Sequence, residues 1–249
     1  MSEASLYRTQ GFLPQSFPLS DPSILPALLT DEARFTEALA QSAASGTQSV
    51  PYLLTDAICR VAQDPALIHQ VESLLGTPHW VMWGPNIRRA TPNQAHNWHV
   101  DLESLLWPTL TVAIGLSGCT PESATWVIPG THHLQQPPPP NPENAQQITG
   151  FGDARFYLFN ARLWHKGDPN FSHNRVVLFL HYQHASAPRI PLMLDYHLQH
   201  FSTEATCYFT TAPANTVSTQ VASLPLWYRL SRWKSNLRYR LQSKVRELN

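Results

Sequence analysis

His96-Asn97-Trp98-His99-Val100-Asp101-Leu102-Glu103 is the stretch on which the reading of this chain turns. On a β-strand, side chains at i and i+2 leave by the same face. A strand here therefore aims His99 and Asp101 into one cavity, with Glu103 on the same side. An imidazole and a carboxylate, completed by a second imidazole from elsewhere, make the 2-His-1-carboxylate face that suits non-haem Fe(II). With 12 histidines in 249 residues, a lone His-x-Asp is a common accident and reads as a surface or structural pair. What surrounds it has to carry the argument.

Downstream lies Gly152-Asp153-Ala154-Arg155-Phe156-Tyr157-Leu158-Phe159-Asn160-Ala161-Arg162-Leu163-Trp164-His165, which reads as a strand running from a turn to a histidine. Gly167-Asp168-Pro169-Asn170 is turn chemistry. Arg175 then opens the apolar strand Val176-Val177-Leu178-Phe179-Leu180. The expectation is that His165 and Arg175 sit on neighbouring antiparallel strands, both facing inward. Arg175, Val177, Phe179 and His181 then share a face. A guanidinium at the mouth of an apolar pocket is the natural fork for a carboxylate. The carboxylate expected here is the distal end of 2-oxoglutarate, whose keto-acid end would chelate the metal.

Taken together, these pieces resemble the phytanoyl-CoA dioxygenase family of Fe(II)/2-oxoglutarate oxygenases. The resemblance spans roughly Pro65 to Gln183. It rests on Trp98-His99-Val100-Asp101, on Val127-Ile128-Pro129-Gly130-Thr131-His132, and on the Gly152-Asp153, Trp164-His165 and Arg175 run, in that order. One departure is Glu122-Ser123, where the family often has Asn-Gly. The resemblance implies a double-stranded β-helix (a cupin-like jelly roll, mostly β) with flanking helices. It implies His99, Asp101 and His165 as iron ligands, Arg175 as the cosubstrate anchor, and O2 as oxidant. Asn86 and Arg88 are further candidates to line the pocket. His96, His132 and His133 read as loop polar groups or as partners to the ligands, and Trp98 and Trp164 as core.

The rest of the chain is consistent with one large domain over 1–224 followed by a basic amphipathic helix over 225–249. Asp64 as N-cap, Pro65 in the first turn and Gly76 at the end bracket a helix. Leu67, Ile68, Val71, Leu74 and Leu75 form its buried stripe. A second helix is expected from Asp31 to about Ala44, and an irregular arm over 1–20. After Gly76 the period shifts towards two, with strands expected at Trp80–Trp83, Ile87–Ala90, Trp98–Leu102, Thr109–Leu116, Thr125–Ile128, Arg155–Phe159 and Arg175–Tyr182. Helices first and strands after argue for an α+β or mostly β barrel. Pro137 to Pro142 reads as a stiff polyproline-like loop.

Net charge is zero, so nothing suggests nucleic acid as a partner. The three scattered cysteines read as reduced thiols of a cytoplasmic protein, not as a disulfide framework. Neither a secretory signal nor a transmembrane run is expected. The tail carries seven basic residues and one acid, a net +6 against −6 for the remainder. Such a helix docks on its own acidic body, or meets an anionic membrane surface or an acidic carrier protein.

The expected activity is oxidation, by default hydroxylation, of an organic small molecule, free or carrier-tethered, with release of succinate and CO2. Desaturation, ring closure and epoxidation need the same residues. Halogenation is disfavoured, because Asp101 fills the site a halide would need. Two rivals stay open: a barrel that binds metal and 2-oxoglutarate without turnover, and a cupin-type metal enzyme independent of 2-oxoglutarate.

Overall fold

The helix expected at Pro65 forms because its ends are chemically specified. In the computed structural model, which describes residues 2–44, 54–90, 98–101, 109–134, 142–167, 174–189 and 208–222, Asp64 accepts the Ala66 and Leu67 N–H groups. Gly76 closes the other end in the left-handed region. Four helices are described: α1 (Glu3–Gln10), α2 (Leu25–Ala44), α3 (Asp56–Val61) and α4 (Pro65–Leu75). Nine strands follow or intervene: β1 (Phe17–Pro18), β2 (Trp80–Ala90), β3 (Leu110–Ser117), β4 (Trp126–Val127), β5 (Gln146–Gln147), β6 (Arg155–Asn160), β7 (His165–Lys166), β8 (Arg175–His184) and β9 (Tyr208–Phe209).

The strands form two sheets. The larger has the order β1-β6-β3-β8-β2-β9, and the smaller has β5-β4-β7. All the pairings between these strands are antiparallel. The result is a double-stranded β-helix, two sheets facing one another with helices on the outside. The outer face of the large sheet carries Trp80, Met82, Leu110, Val112, Ile114, Phe156, Leu158, Leu178, Leu180 and Tyr182 into one apolar cluster with α4 and the N-terminal segments. The inner face carries Ala113, Tyr157, Phe159 and Val177 against Phe12, Val127 and Leu163. Strand alternation sorts the two sets, as period two requires.

Several expectations need correction. Residues 3–10 are helical, not irregular: Ser2 caps the start through the Ser5 N–H, and Gly11 ends the helix at φ 85°. A side chain at Gly11 would also meet the His132 ring at 2.5 Å, so only glycine fits there. Helix α2 starts at Leu25, ahead of the expected Asp31, because Pro26 falls in the first turn, where a missing N–H costs nothing. The two strands expected at 80–83 and 87–90 are one, carried past Gly84-Pro85 by a register shift between Trp83 and Asn86. The strand expected to reach His165 stops at Asn160. After a turn, His165 belongs to the small sheet, paired with Val127 of β4. His165 and Arg175 thus face each other from opposite sheets instead of lying on neighbouring strands.

The tail helix over 225–249, residues 137–141 of the proline loop, the turn after Gly167, and Glu103 and His96 lie outside the described residues. The described cysteines, Cys59 and Cys119, are free thiols. Among the described residues, no helix is long and apolar enough to cross a membrane.

Candidate metal centre

Two short backbone segments build the centre. His99 N–H donates to the His165 carbonyl at 3.0 Å, and His165 N–H donates to that of His99 at 2.9 Å. Asp101 N–H donates to the Ala161 carbonyl at 2.9 Å. This antiparallel bridge sets the two imidazoles side by side, ring centroids 4.3 Å apart, and brings Asp101 round to them. Asp101 Oδ1 lies 3.8 Å from His99 Nε2 and 3.6 Å from His165 Nε2. Both separations exceed hydrogen-bonding reach. One ligand atom from each of the three residues lies within 4.8 Å of the others. Three donors held close without bonding one another suit a common cation, and two imidazoles with one carboxylate suit a first-row metal such as Fe(II).

The orientation of His165 supports the same fit. Its Nδ1 lies 2.8 Å from the Leu163 carbonyl, which can only accept, so Nδ1 carries the proton. Nε2 is left with its lone pair towards Asp101. A backbone carbonyl fixing the far nitrogen is the usual support of a metal-binding imidazole. Phe159 backs the ring at 4.8 Å. Burial holds the His165 pKa below its ordinary value, more strongly than Asp101 pulls it up, so the ring is neutral as a ligand must be.

No side chain of the segment Val127 to His132 lines the cavity. Ile128 N–H donates to the Trp164 carbonyl at 2.9 Å, and the Thr131 hydroxyl oxygen accepts the Trp164 N–H at 3.0 Å. The segment therefore clamps the residue before His165. Replacing Thr131 by valine strands that N–H. The expected cost is about 1–3 kcal/mol, read by urea unfolding, with a matching fall in metal affinity.

His132 and His133 bind the Arg8 carbonyl at the end of α1 through Nε2, at 3.2 and 2.8 Å. They are a structural clamp and not partners of the ligands. Burial first, and then the neighbouring His133, pull the His132 pKa down to about 4 from 6.5. The unfolded chain therefore takes up this proton before the folded one does. The stability that neutral His132 supports is complete above pH 6.5 and falls away towards pH 4, by up to about 3 kcal/mol. Urea unfolding between pH 7 and 4.5 should show this loss, and His132→Gln should flatten it.

A cavity of about 710 Å³, counting the part open to solvent, is lined by the three residues together with Arg175, Tyr157, Thr125, Val177, Phe179, His181, Asn86 and Arg88. Arg175 is buried, 7% exposed. It shares the β8 face with Val177, Phe179 and His181, as alternation requires. Tyr157 and Thr125 share a 2.7 Å hydrogen bond between the two sheets. Burial pushes the Tyr157 phenol up to about 12, against the pull of Thr125 and of nearby Arg175. His181 lies 3.1 Å from the Thr111 hydroxyl, and burial lowers its pKa. Tyr157 and Thr125 went unnoticed in sequence. The alternation from Arg155 through Tyr157 to Phe159 was the available signal. Trp98 and Trp164 are half-buried, and Lys166 Nζ lies 5.1 Å from the centroid of the Trp98 ring.

No family model matches the chain, and no curated protein matches it. Solved structures do. The non-heme monooxygenase ThoJ, as its nickel complex, aligns over 98% of both chains with a TM-score of 0.60 at 17% identity. The epimerase SnoN, in complex with Fe3+, alpha ketoglutarate and nogalamycin RO, aligns over 90% of this chain and 94% of its own, with a TM-score of 0.58 at 16% identity. HygX from Streptomyces hygroscopicus, with nickel and 2-oxoglutarate bound, covers 76% and 90% respectively, with a TM-score of 0.57 at 13% identity. At these identities the likeness is one of fold, and that fold is the cupin-like jelly roll.

Proposed function

We propose that the chain is an Fe(II)/2-oxoglutarate-dependent oxygenase acting on an organic small molecule. The observation that carries this reading is the convergence of His99, Asp101 and His165 at a cavity whose wall also holds the buried guanidinium of Arg175. His99 and His165 would supply two imidazole nitrogens, and Asp101 one carboxylate oxygen. A metal held by these three residues would face the cavity, where cosubstrate and O2 would reach it. Arg175 receives the distal carboxylate of 2-oxoglutarate, with the Tyr157 and Thr125 hydroxyls on the same wall. Bound iron supplies the activation of O2 that couples decarboxylation of 2-oxoglutarate to oxidation of the substrate. The chain's own part is to orient both substrates and to exclude water. Val177 and Phe179 supply the apolar surface for that.

Hydroxylation is the outcome proposed: O2, 2-oxoglutarate and a C–H bond give C–OH, succinate and CO2. The three sequence motifs support the phytanoyl-CoA dioxygenase family as the subgroup. Related folds include both a monooxygenase and an epimerase, so the product has to be weighed as well as the succinate. The decisive experiment incubates the protein with Fe(II), 2-oxoglutarate and air and follows succinate, then screens small molecules for stimulation. A product heavier by one oxygen supports hydroxylation. An unchanged mass with inverted configuration supports epimerisation. No succinate from metal-loaded protein, even with the screen exhausted, overturns the oxygenase reading in favour of a binding barrel.

A further inference from the structure

Strand β2 carries two consecutive arginines, and alternation sends them to opposite faces. Arg89 leaves by the outer face, where its Nε and NH2 groups donate to Glu32 of α2 at 3.0 and 2.7 Å. Its charge is matched there. Arg88 leaves by the inner face, opposite Val177 of β8, and lines the cavity with Asn86 on the same side of the strand. Among the described residues Arg88 makes no ion pair with any carboxylate, and it is exposed at the cavity while Arg175 is buried.

The charges of the loaded site, on the reading proposed above, then leave a remainder. A divalent metal and Arg175 bring three positive charges. Asp101 and dianionic 2-oxoglutarate bring three negative ones. Among the described residues that leaves Arg88 over. A guanidinium that faces a cavity with no ion pair from the described residues is a receptor for an anion, and on the same reading the cosubstrate's two carboxylates go to the metal and to Arg175.

We propose that Arg88, with Asn86 beside it, is the substrate anchor, and that the substrate is an organic anion bearing a carboxylate or a phosphate or sulfate ester. Residue identity fits this division of labour. A buried arginine holds the ligand common to every turnover, and an exposed one at the same wall meets the ligand that enters last.

The test uses the protein loaded with Mn(II) and 2-oxoglutarate, in which no turnover occurs. Benzoate and phenyl phosphate, and their neutral counterparts benzamide and phenol, are titrated by calorimetry and by the relaxation of Mn(II)-bound water. The anions should bind about fivefold to tenfold tighter than their neutral counterparts. Arg88→Gln should abolish that preference, Arg88→Lys should keep part of it, and 2-oxoglutarate affinity should stay within about twofold in both. No preference for anions, or a preference unchanged in Arg88→Gln, overturns the proposal. So does a large loss of 2-oxoglutarate affinity in Arg88→Gln, which would assign Arg88 to the cosubstrate. Failure of the wild-type protein to take up Mn(II) and 2-oxoglutarate at all overturns the oxygenase reading and the anchor with it, and is seen before any anion is added.

Discussion

Replacing Asp101 by alanine is expected to lower Fe(II) or Mn(II) affinity by at least about 100-fold, since even partners one step removed from a metal cost 10–100-fold when lost. On the proposed ligand set the two that remain would be imidazoles, which bring no negative charge to offset that of the cation. The fold should survive. The Asp101 side chain is 31% exposed and takes no part in the apolar clusters. Its backbone N–H bond to Ala161 does not depend on the side chain. Asp101→Glu should also be poor, because one extra methylene displaces the oxygen in a site that tolerates about 0.5 Å of error. Calorimetry with Mn(II), beside a urea unfolding curve, separates the two effects. Retained metal affinity in Asp101→Ala, with His99 and His165 intact, would remove the carboxylate from the ligand set and turn the reading towards a halogenase-like or non-catalytic centre.

The Arg175→Ala variant should lose 2-oxoglutarate by about 2–5 kcal/mol, because the distal carboxylate is left in a buried cavity without its partner. That is roughly 30-fold to several thousand-fold in affinity. Metal affinity should be nearly unchanged, since Arg175 belongs to the large sheet and the ligands to the segments that bridge His99 and His165. Calorimetry of 2-oxoglutarate into Mn(II)-loaded protein reads the first effect, and Mn(II) titration of the metal-free protein reads the second. Wild-type cosubstrate affinity in Arg175→Ala would refute the anchor. The contrast with Asp101→Ala is itself informative, as the two variants should fail at different steps of loading.

These expectations draw on two kinds of information. Periodicity located β3, β6 and β8, because a strand buried on both faces reads as a long apolar run wherever it lies. Caps located α4, because Asp64, Pro65 and Gly76 act through their own local geometry. Alternation along β8 put Arg175, Val177, Phe179 and His181 on one face, and the cavity is lined by all four. The caps of α1, Ser2 and Gly11, were equally local, but a short helix with a weak apolar face leaves little periodic signal between them.

What sequence alone determined was therefore the chemistry at each position and the face of each regular strand. Which sheet a strand joins was decided by the tertiary structure. His165 follows β6 after a turn at Ala161-Arg162, and no local propensity tells whether the chain then continues its sheet or crosses to the other. Pairing with Val127 and with His99 made that choice, and it turned an expected neighbour of Arg175 into a residue facing it. The role of Thr131 and the clamp of His132 on Arg8 were likewise invisible, being contacts between segments far apart in the chain. The fate of the two arginines on β2 divides the same way. Alternation alone separates Arg88 from Arg89, but only the packing of α2 shows that Glu32 neutralises one of them and leaves the other to the cavity.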